Sequence, residues 1–356
     1  MSRVEVALGA RSYTISIEAG LLDRTETWLA PFARHGRLVV VADEQAWAVQ
    51  GHRLTGFDIA LTPVPAGEAS KSWGELARVV EALLALGVER GDTIISFGGG
   101  MVGDLTGFAA AILKRGCGCV HIPTTLLAQV DAAVGGKTAI NAAAGKNLVG
   151  AFHQPRAVLI DPTTLGTLAP RQLRSGYAEV VKYGLISDPA FFDWCEASGA
   201  ALLAGDEAAR AYAIETCVRA KARVVAADER ETKGERALLN FGHTFGHALE
   251  AEAGFSDALL HGEAVALGMV LAFRFSTERG LCPVEDADRV EAHLRSVGLA
   301  GPLPFAAEAL MARMENDKKS SGGRLNFILT RGVGKAFVES DVAPGEVEDF
   351  LRRAFG

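Results

Sequence analysis

The sequence lacks three features that would place it in a specialised class of protein. It has 5 cysteines among 356 residues, an odd number without the CxxC pairs of zinc or redox sites, so we expect reduced, structural thiols. Its longest uncharged apolar stretches, such as residues 264–273, are far shorter than the roughly 20 residues that span a bilayer. Charged residues also interrupt the N-terminal stretch before a signal region could form. We therefore expect a cytoplasmic protein without a membrane partner.

The sequence also lacks an excess of positive charge. Its 36 Lys and Arg residues stand against 43 Asp and Glu residues, which gives a formal net charge of -7. The general cationic field that drives nucleic-acid binding is therefore missing, and any bound anion must be held by a local cluster of cations. The composition of 49% hydrophobic and 22% charged residues is that of an ordinary globular protein and excludes a disordered chain.

The order of the patterns predicts two domains. Short β-rich runs alternate with helical patterns in the first half, which predicts a mostly parallel sheet, whereas longer helical patterns follow residue 170. We predict an α/β nucleotide-binding domain over residues 1–170 and a mainly α-helical domain over residues 171–356. The predicted strands are 4–8, 13–17, 37–42, 58–64, 93–97, 119–122, 157–160, 325–329 and 335–339. The predicted helices are 72–86, 105–113, 171–185, 206–228, 235–253, 261–279 and 285–297.

A glycine-rich turn lies between the predicted strand 93–97 and the predicted helix 105–113. Residues 98–103 match G-x-G-x-x-G, where missing side chains let backbone N–H groups and a helix N-terminus approach a pyrophosphate. No acidic residue follows about 20 positions later, as in an ordinary Rossmann fingerprint. We therefore expect Asp43, at the end of the strand 37–42, to contact the ribose. The alternative is a glycine turn without a ligand.

A polar stripe follows the predicted helix 235–253. At roughly 100° per residue, its members fall within about 40° of one meridian: Arg236, Asn240, His243, His247 and Glu250. Such a stripe is costly to bury without a ligand or a metal, and the alternative is a solvated face. The spacing lets His243 and His247 share one metal, although the Glu of HExxH is missing.

Other residues could complete a metal or anion site. His261 and Glu179 are further candidate ligands, and Glu179 shares a helix face with Lys182, three residues later. An exposed ion pair is the alternative for those two. Lys137 and Lys146 lie in a Gly- and Ala-rich stretch with few local partners, which favours an anionic ligand. From the residues alone, the choice among the histidines stays open.

Taken together, these segments resemble the 3-dehydroquinate synthase family, within the sugar phosphate cyclases. The matching segments are 65–71, 98–104, 123–131, 135–137, 145–147, 179–182, 221–228, 239–247, 261–263 and 317–319. The resemblance implies the dehydroquinate synthase-like fold, an N-terminal α/β domain that binds NAD, and a helical C-terminal domain that binds zinc or cobalt. It also implies a homodimer and a small anionic sugar-phosphate substrate held between the two domains.

The resemblance further assigns roles to residues. The implied metal ligands are Glu179, His243 and His261, which makes His247 a substrate-side residue. The implied substrate and catalytic residues are Asp131, Lys137, Lys146, Asn147, Lys182, Lys221, Arg236, Asn240, His247 and one or both of Lys318 and Lys319, with Arg115 reaching the phosphate from a neighbouring subunit. The implied cofactor contacts are Asp43, Ala66, Gly67, Glu68, Ala69, Ser70, Lys71, Gly99, Gly100, Met101, Val102, Gly103, Asp104, Thr124, Thr125, Asp131, Lys137, Lys146, Thr164, Leu165, Gly166 and Thr167.

The implied reaction converts 3-deoxy-D-arabino-heptulosonate 7-phosphate to 3-dehydroquinate and phosphate, a lyase step of the shikimate pathway toward chorismate and the aromatic amino acids. It proceeds by transient oxidation with NAD, phosphate elimination, reduction and an intramolecular aldol, so NAD is not consumed. The elimination base is either a protein group or the substrate phosphate. Sister cyclases that act on other sugar phosphates, a metal-dependent polyol dehydrogenase that releases NADH, and a non-catalytic NAD sensor are the alternatives.

Overall fold

The computed structural model describes residues 1–232, 234–301, 305–320 and 325–355, without the side chains of residues 315–320, 325, 341 and 355. Contacts divide the chain into two compact units: Met1–Ala169 with Glu207–Arg230, and Pro170–Asp206 with Glu231–Gly356. The difference from the predicted domains is the segment Glu207–Arg230, which groups with the first unit. A helical pattern shows that a segment folds as a helix, but it does not show which core the helix joins.

The elements are described here in chain order. The strands are β1 (Ser2–Val6), β2 (Tyr13–Ile17), β3 (Arg37–Asp43), β4 (Asp58–Val64), β5 (Thr93–Gly98), β6 (Gly118–Pro123), β7 (Lys137–Ala142), β8 (Gly145–Phe152), β9 (Ala157–Ile160), β10 (Leu325–Thr330) and β11 (Ala336–Val342). The α-helices are α1 (Thr25–Leu29), α2 (Glu44–Gln50), α3 (Trp73–Ala85), α4 (Gly100–Ile112), α5 (Pro170–Ser187), α6 (Pro189–Ala204), α7 (Glu207–Ala227), α8 (His243–Glu252), α9 (His261–Glu278), α10 (Val284–Ser296), α11 (Ala307–Ser320) and α12 (Pro344–Phe355).

The first unit is built on a seven-stranded sheet in the order β1-β2-β9-β6-β5-β3-β4. Its neighbouring strands are parallel except for the antiparallel pair β1 and β2. In β3, Leu38 and Val40 pack into one core cluster, whereas Val39 and Val41 pack into the other. Successive side chains of a strand point to opposite faces, so this apolar run is buried on both sides. The predicted mostly parallel sheet is confirmed.

The strand order reverses between β3 and β5. From β3 the chain continues to the edge strand β4, and from β5 it continues to β6 on the other side. Ala42 pairs with Phe97 in the register of these two strands, so Asp43 and Gly98 end them side by side. Ligands of open α/β sheets bind in the crevice at such a reversal. The topology therefore places the glycine turn where a nucleotide is expected.

A two-stranded hairpin of β7 and β8 was missed by the sequence analysis. Its Gly- and Ala-rich sequence lacks the β-branched alternation that predicts strands. A Cβ on Gly150 would lie 1.9 Å from the Thr138 carbonyl oxygen, so only glycine allows the two strands to pair here. The hairpin carries Lys137 on β7 and Lys146 and Asn147 on β8.

The second unit packs α5 and α8 against α9 and carries the antiparallel pair β10 and β11. The helix predicted over residues 235–253 is wrong as a single helix. A 3-10 turn, Arg236–Asn240, ends before α8 begins at His243. Gly242 between them has a φ of +81°, and a Cβ there would lie 2.8 Å from the Met269 backbone nitrogen. The predicted polar meridian therefore does not run continuously from Arg236 to His243.

All five cysteines are buried and form no disulfide, and burial raises the pKa of the Cys119 thiol to about 12. Among the described residues, no helix combines the length and the apolar character that a bilayer crossing needs.

A buried carboxylate organises the loops around the end of β9. Asp161 has no exposed surface and accepts hydrogen bonds from the backbone of Gly20 at 3.0 Å and Leu22 at 3.0 Å, and from Arg53 Nη2 at 2.8 Å. An Asp161→Asn amide can accept on one side only. We expect the free energy of unfolding to fall by about 2 kcal/mol, measured by urea denaturation. Asp23→Asn, which removes the charge of the exposed Arg53 partner, is the matched control, and equal losses in both variants would contradict this role.

Candidate active site

The glycine turn joins β5 to α4. Gly98 ends the strand, Gly99 is the N-cap and α4 begins at Gly100. Gly98 has a φ of +147°, and a Cβ there would lie 2.6 Å from Val102 Cγ1 and 2.8 Å from Asp43 Cβ. Only glycine satisfies both the conformation and the space. The N-terminal N–H groups of α4 and the positive end of its dipole then favour a bound anion.

Asp43 already has a structural contact. Its Oδ1 accepts hydrogen bonds from the backbone nitrogens of Gln45 at 3.0 Å and Ala46 at 2.9 Å, which caps α2. A ribose contact would therefore fall to the other carboxylate oxygen. That predicted contact stays a prediction, although the position of Asp43 beside Gly98 suits it.

A buried lysine links three of the predicted cofactor and substrate segments. Lys71 Nζ contacts Asp104 Oδ2 at 2.5 Å and Asn147 Oδ1 at 2.5 Å. Burial raises the pKa of the Asp104 carboxyl, which the charge of Lys71 opposes. Asn141 Nδ2 donates to Glu68 Oε1 at 2.8 Å, and its Oδ1 accepts from the Asn147 backbone at 3.1 Å. Asn147, predicted beside the substrate, is thus tied to predicted cofactor contacts.

Other predicted cofactor residues differ in what they expose. The side chains of Val102, Thr164 and Leu165 are buried, so their contacts with a cofactor would be made by backbone atoms. By contrast, several of the predicted cofactor residues are exposed or partly buried. The exposed ones include Gly67, Ala69, Gly166 and Thr167, and the partly buried ones include Ala66 and Ser70.

The predicted cofactor residue Thr125 lies against the glycine turn, because a Cβ on Gly99 would be 3.2 Å from Thr125 Cγ2. The Thr124 backbone donates to the Gly98 carbonyl at 2.9 Å. Met101 packs against the core.

A small pocket in the first unit adjoins the turn. Its lining includes Gly99, Asp104, His121 and Lys137. His121 Nδ1 lies 2.6 Å from Ser96 Oγ, and burial lowers the pKa of His121 to about 4. The imidazole is therefore neutral near pH 7. No pattern in the sequence marks His121, because a single histidine in a strand carries no spacing signal.

Asp131 and Lys221 form a second polar pair in the first unit. Asp131 lies in a π-helical turn, Ala128–Ala132, a conformation that is frequent at functional sites. Lys221 on α7 pairs with the Asp131 carboxylate and donates to its backbone carbonyl at 2.6 Å. The contact brings together two residues predicted to hold the substrate, 90 positions apart in sequence.

Three helices of the second unit bring one carboxylate and two imidazoles together. Glu179 Oε1 on α5 lies 3.7 Å from His243 Nε2 and 3.5 Å from His261 Nε2. Ligand atoms of these three residues lie within 4.8 Å of one another. His243 and His261 are the first residues of α8 and α9. The structure therefore assembles the predicted metal ligands from three separate helices.

Glycines permit this convergence. A Cβ on Gly262 would lie 1.8 Å from the Ser175 carbonyl oxygen, and one on Gly268 would lie 2.0 Å from the Gly242 carbonyl oxygen. Side chains at these positions would separate α9 from α5 and from the turn before α8. Close backbone approach is what missing side chains allow, and here it sets the distance between the ligand-bearing helix ends.

The two imidazoles are oriented by their other nitrogens. His243 Nδ1 lies 3.2 Å from the Phe241 carbonyl oxygen, and His261 Nδ1 lies 3.2 Å from Glu250 Oε2. Because a carbonyl and a carboxylate can only accept, each Nδ1 carries a proton. Each Nε2 is then left to face Glu179 and to bind a metal. Metal-bound histidines are commonly oriented in this way by an acceptor on their other ring nitrogen.

The charges of the cluster suit a cation. Burial lowers the pKa of His243 to about 3. Burial also acts to lower the pKa of His261, but hydrogen bonds to Glu179 and Glu250 outweigh it and raise that pKa to about 10. Glu179 thus places a negative charge beside both Nε2 atoms, which favours a bound cation there. One carboxylate and two imidazoles, with further positions open, are the donor set of catalytic zinc.

His247 does not belong to this group of ligand atoms. It lies one turn after His243 on α8, with ring centroids 5.3 Å apart, and its ring is 6.5 Å from that of His261. Helical spacing allows His243 and His247 to be joint ligands, whereas the structure gathers His243 and His261 around Glu179. His247 is exposed, which suits the substrate-side role implied by the resemblance.

The other predicted substrate residues of the second unit differ in burial and in polar contacts. Lys182 is buried and pairs with Glu179, so the exposed ion pair considered for them is wrong. Arg236 is 2% exposed, and Asn240 Nδ2 donates to Glu231 Oε1 at 3.2 Å. Lys318 and Lys319 lie on α11, but their side chains fall outside the described part of the chain.

Arg115, Lys137 and Lys146 belong to the first unit. Arg115 is exposed and has a φ of +66°, and its predicted reach into a neighbouring subunit stays a prediction. Lys137 is exposed and Lys146 is partly buried on the hairpin.

Comparisons with known proteins agree over nearly the whole chain. The family model described as 3-dehydroquinate synthase N-terminal matches residues 61–175, and the one described as 3-dehydroquinate synthase C-terminal matches residues 176–320. A Zymomonas mobilis protein named 3-dehydroquinate synthase is 54% identical over 359 residues, 98% of this chain and 95% of that protein. A Rhodospirillum rubrum protein of the same name is 53% identical over 366 residues, 99% of this chain and 95% of that protein.

Solved structures show the same fold. The 2-epi-5-epi-valiolone synthase of Streptomyces hygroscopicus, solved with NAD⁺ and Zn²⁺, is 31% identical with a TM-score of 0.88, and 98% of each chain is covered. A 2-deoxy-scyllo-inosose synthase complexed with carbaglucose-6-phosphate, NAD⁺ and Co²⁺ is 25% identical with a TM-score of 0.83, and 99% of each chain is covered. The chain belongs to the 3-dehydroquinate synthase family.

Proposed function

We propose that the chain converts 3-deoxy-D-arabino-heptulosonate 7-phosphate to 3-dehydroquinate and inorganic phosphate, with NAD and a divalent metal, zinc or cobalt, as cofactors. The observation that carries the proposal is the convergence of Glu179, His243 and His261, whose ligand atoms lie within 4.8 Å of one another. A protein that only binds NAD needs no such cluster. Relatives that are more than half identical carry the name of this activity.

The metal held by Glu179, His243 and His261 is proposed to bind an alcohol group of the substrate. A divalent ion held there supplies Lewis acidity, which makes a bound hydroxyl easier to oxidise. The protein's part is to hold the ligands: Glu179 is buried, and the Nδ1 contacts of His243 and His261 fix their rings. Three protein ligands leave positions open for substrate. Lys182, paired with Glu179, keeps a positive charge beside that position.

The first unit is proposed to bind NAD, which accepts a hydride and returns it. The end of β5, the N-terminus of α4 and Asp43 form the crevice at the strand reversal, where a pyrophosphate and a ribose fit. Gly98 lets the backbone come close to a ligand there. Structural relatives at 31% and 25% identity were solved with NAD⁺, which supports the same cofactor here.

The substrate's negative charges are proposed to meet lysines and arginines, although the chain carries a net charge of -7. Lys182 and Arg236 are buried, and a desolvated cation attracts an anion more strongly than an exposed one. Lys137 and Lys146 add exposed charge, and Lys221 is held by Asp131. His247 and Asn240 are proposed on the phosphate side, where an imidazole can move a proton.

A phosphate-release assay tests the proposal. Purified protein is given the heptulosonate phosphate with and without a chelator and with and without added NAD, while NADH is followed by absorbance. We expect phosphate release to need both cofactors and to proceed without net NADH, because the hydride is returned. Phosphate appearing at equal rates in all conditions would contradict the proposal.

The same assay separates the rival functions. The fold is shared with cyclases that act on other sugar phosphates, of which the valiolone synthase has a TM-score of 0.88. If only other sugar phosphates react, a sister cyclase is the correct assignment. The fold also occurs in a glycerol dehydrogenase of Schizosaccharomyces pombe, 17% identical with a TM-score of 0.64, 96% of this chain and 88% of that chain being covered. Accumulating NADH would indicate a polyol dehydrogenase.

We further propose that the enzyme works as a homodimer in the cytoplasm, with Arg115 of one subunit reaching the substrate phosphate of the other. The exposure of Arg115 supports this arrangement. Light scattering gives the subunit number. Mixing an Arg115→Ala protein with a protein that carries His247→Ala should restore part of the activity if the site is shared between subunits.

A further inference from the structure

We propose that Glu250 is a positioning residue of the metal site, which holds His261 in the tautomer that can bind the ion. The inference rests on the proposed function for the presence of a metal. Helical spacing places Glu250 on the same polar stripe as His243, but neither that spacing nor the implied ligand set gives it a contact with His261.

The contact is specific and buried. Glu250 lies on α8, 7 residues after His243 and 11 before His261, and its side chain is 3% exposed. Its Oε2 lies 3.2 Å from His261 Nδ1, on the side of the ring opposite to the Nε2 that faces Glu179. A buried carboxylate is costly unless it is paired and hydrogen-bonded. The imidazole of His261 gives Glu250 such a partner.

The chemistry of imidazole makes this contact matter. Neutral imidazole carries one proton, and a ring protonated on Nε2 has no lone pair there for a metal. A carboxylate at Nδ1 holds the proton on that side and makes the free nitrogen a better donor. Glu250 also adds a negative charge to the cluster, in addition to the Glu179 carboxylate that pairs with Lys182. His243 has a neutral carbonyl at the corresponding place, so the charge comes through His261 alone.

A substitution on the same helix provides a matched control. Glu250→Gln keeps the size of the side chain and an oxygen acceptor but removes the charge. Glu252→Gln removes a carboxylate two residues later, where Glu252 pairs with Arg313 and is 27% exposed. Zn²⁺ affinity is measured by competition with a chromogenic chelator, the visible spectrum of the Co²⁺-loaded proteins reports the ligand field, and thermal melting of the metal-free proteins reports folding.

We expect Glu250→Gln to weaken Zn²⁺ binding by about 10- to 100-fold and to shift the Co²⁺ spectrum, while Glu252→Gln binds like the unmodified protein. Equal affinities for all three proteins, or equal losses in the two variants, would overturn the inference. If the unmodified protein binds no metal, the proposed function itself fails, which is a separate outcome.

A measurement on the unmodified protein covers the case in which Glu250→Gln does not fold. Nitrogen NMR of ¹⁵N-histidine-labelled, Zn²⁺-loaded protein distinguishes the two ring nitrogens of His261, assigned with a His261→Gln variant. A protonated Nδ1 and a metal-bound Nε2 are expected. A His261 bound through Nδ1 would overturn the inference, because Nδ1 could not then donate to Glu250.

Discussion

A His243→Ala protein is expected to lose its metal and about three orders of magnitude in kcat/KM. The imidazole is one of three protein ligands around Glu179, and two ligands do not hold a catalytic ion firmly. A metal supplies several kcal/mol of charge stabilisation, and about 1.4 kcal/mol corresponds to a tenfold change in rate. Metal content by atomic emission and the phosphate-release assay measure the two effects.

His247→Ala is the matched control for this prediction. It removes an imidazole from the same helix, one turn away, with a ring centroid 5.3 Å from that of His243. Since His247 is outside the ligand group, this variant should keep its metal while its activity falls. Loss of metal from His247→Ala, or an equimolar metal content in His243→Ala, would contradict the ligand set.

A Gly98→Ala protein is expected to bind NAD about 100-fold more weakly. The added Cβ would lie 2.6 Å from Val102 Cγ1 and 2.8 Å from Asp43 Cβ, at a φ of +147° that alanine rarely adopts. Strain and overpacking of this kind each cost about 1–3 kcal/mol, and relief requires the turn to move away from the nucleotide crevice. Titration calorimetry with NAD measures the affinity.

Gly91→Ala serves as the control for the turn variant. A Cβ on Gly91 meets no atom within 4 Å, so the substitution adds the same methyl group without a clash. We expect this variant to bind NAD like the unmodified protein. A Gly98→Ala protein with unchanged NAD affinity and an unchanged melting temperature would show that the turn does not form the nucleotide site.

The sheet of the first unit could be predicted because its strands carry a clear local signal. The apolar run of β3 predicts a buried strand from a few consecutive residues. The glycines at the end of β5 likewise predict a turn from local sequence alone. The hairpin of β7 and β8 carried no such signal, because Gly150 is required by a contact with Thr138 across the hairpin and not by local preference. The β7–β8 hairpin therefore depends on contacts between its two strands, which local sequence preference does not predict.

In the second unit, helical periodicity predicts which residues share a face but not the turns and contacts that place them. Helical periodicity could suggest that His243 faces a polar site, but it could not show the left-handed turn at Gly242, which separates His243 from Arg236. The periodicity also placed Glu250 on a polar face without giving it a partner. Its contact with His261 depends on how α8 packs against α9. The spacing of residues within one helix does not predict how that helix packs against another.

The grouping of Glu207–Arg230 with the first unit has the same origin. The helical pattern of α7 is clear from sequence. Its placement depends on a partly buried contact between Lys221 and Asp131, 90 positions apart in sequence. Family resemblance suggested that both residues serve one substrate. The physical reason for their proximity is a π-helical turn that presents the Asp131 carbonyl and carboxylate to the Lys221 ammonium group. No sequence pattern indicates that turn.

The most direct test of the metal centre is a crystal structure with an anomalous difference map recorded at the zinc edge. We expect one strong peak about 2.0–2.2 Å from a Glu179 carboxylate oxygen and from the Nε2 atoms of His243 and His261. A peak bound to His247 in place of His261, or no peak at these residues in zinc-loaded, active protein, would contradict it.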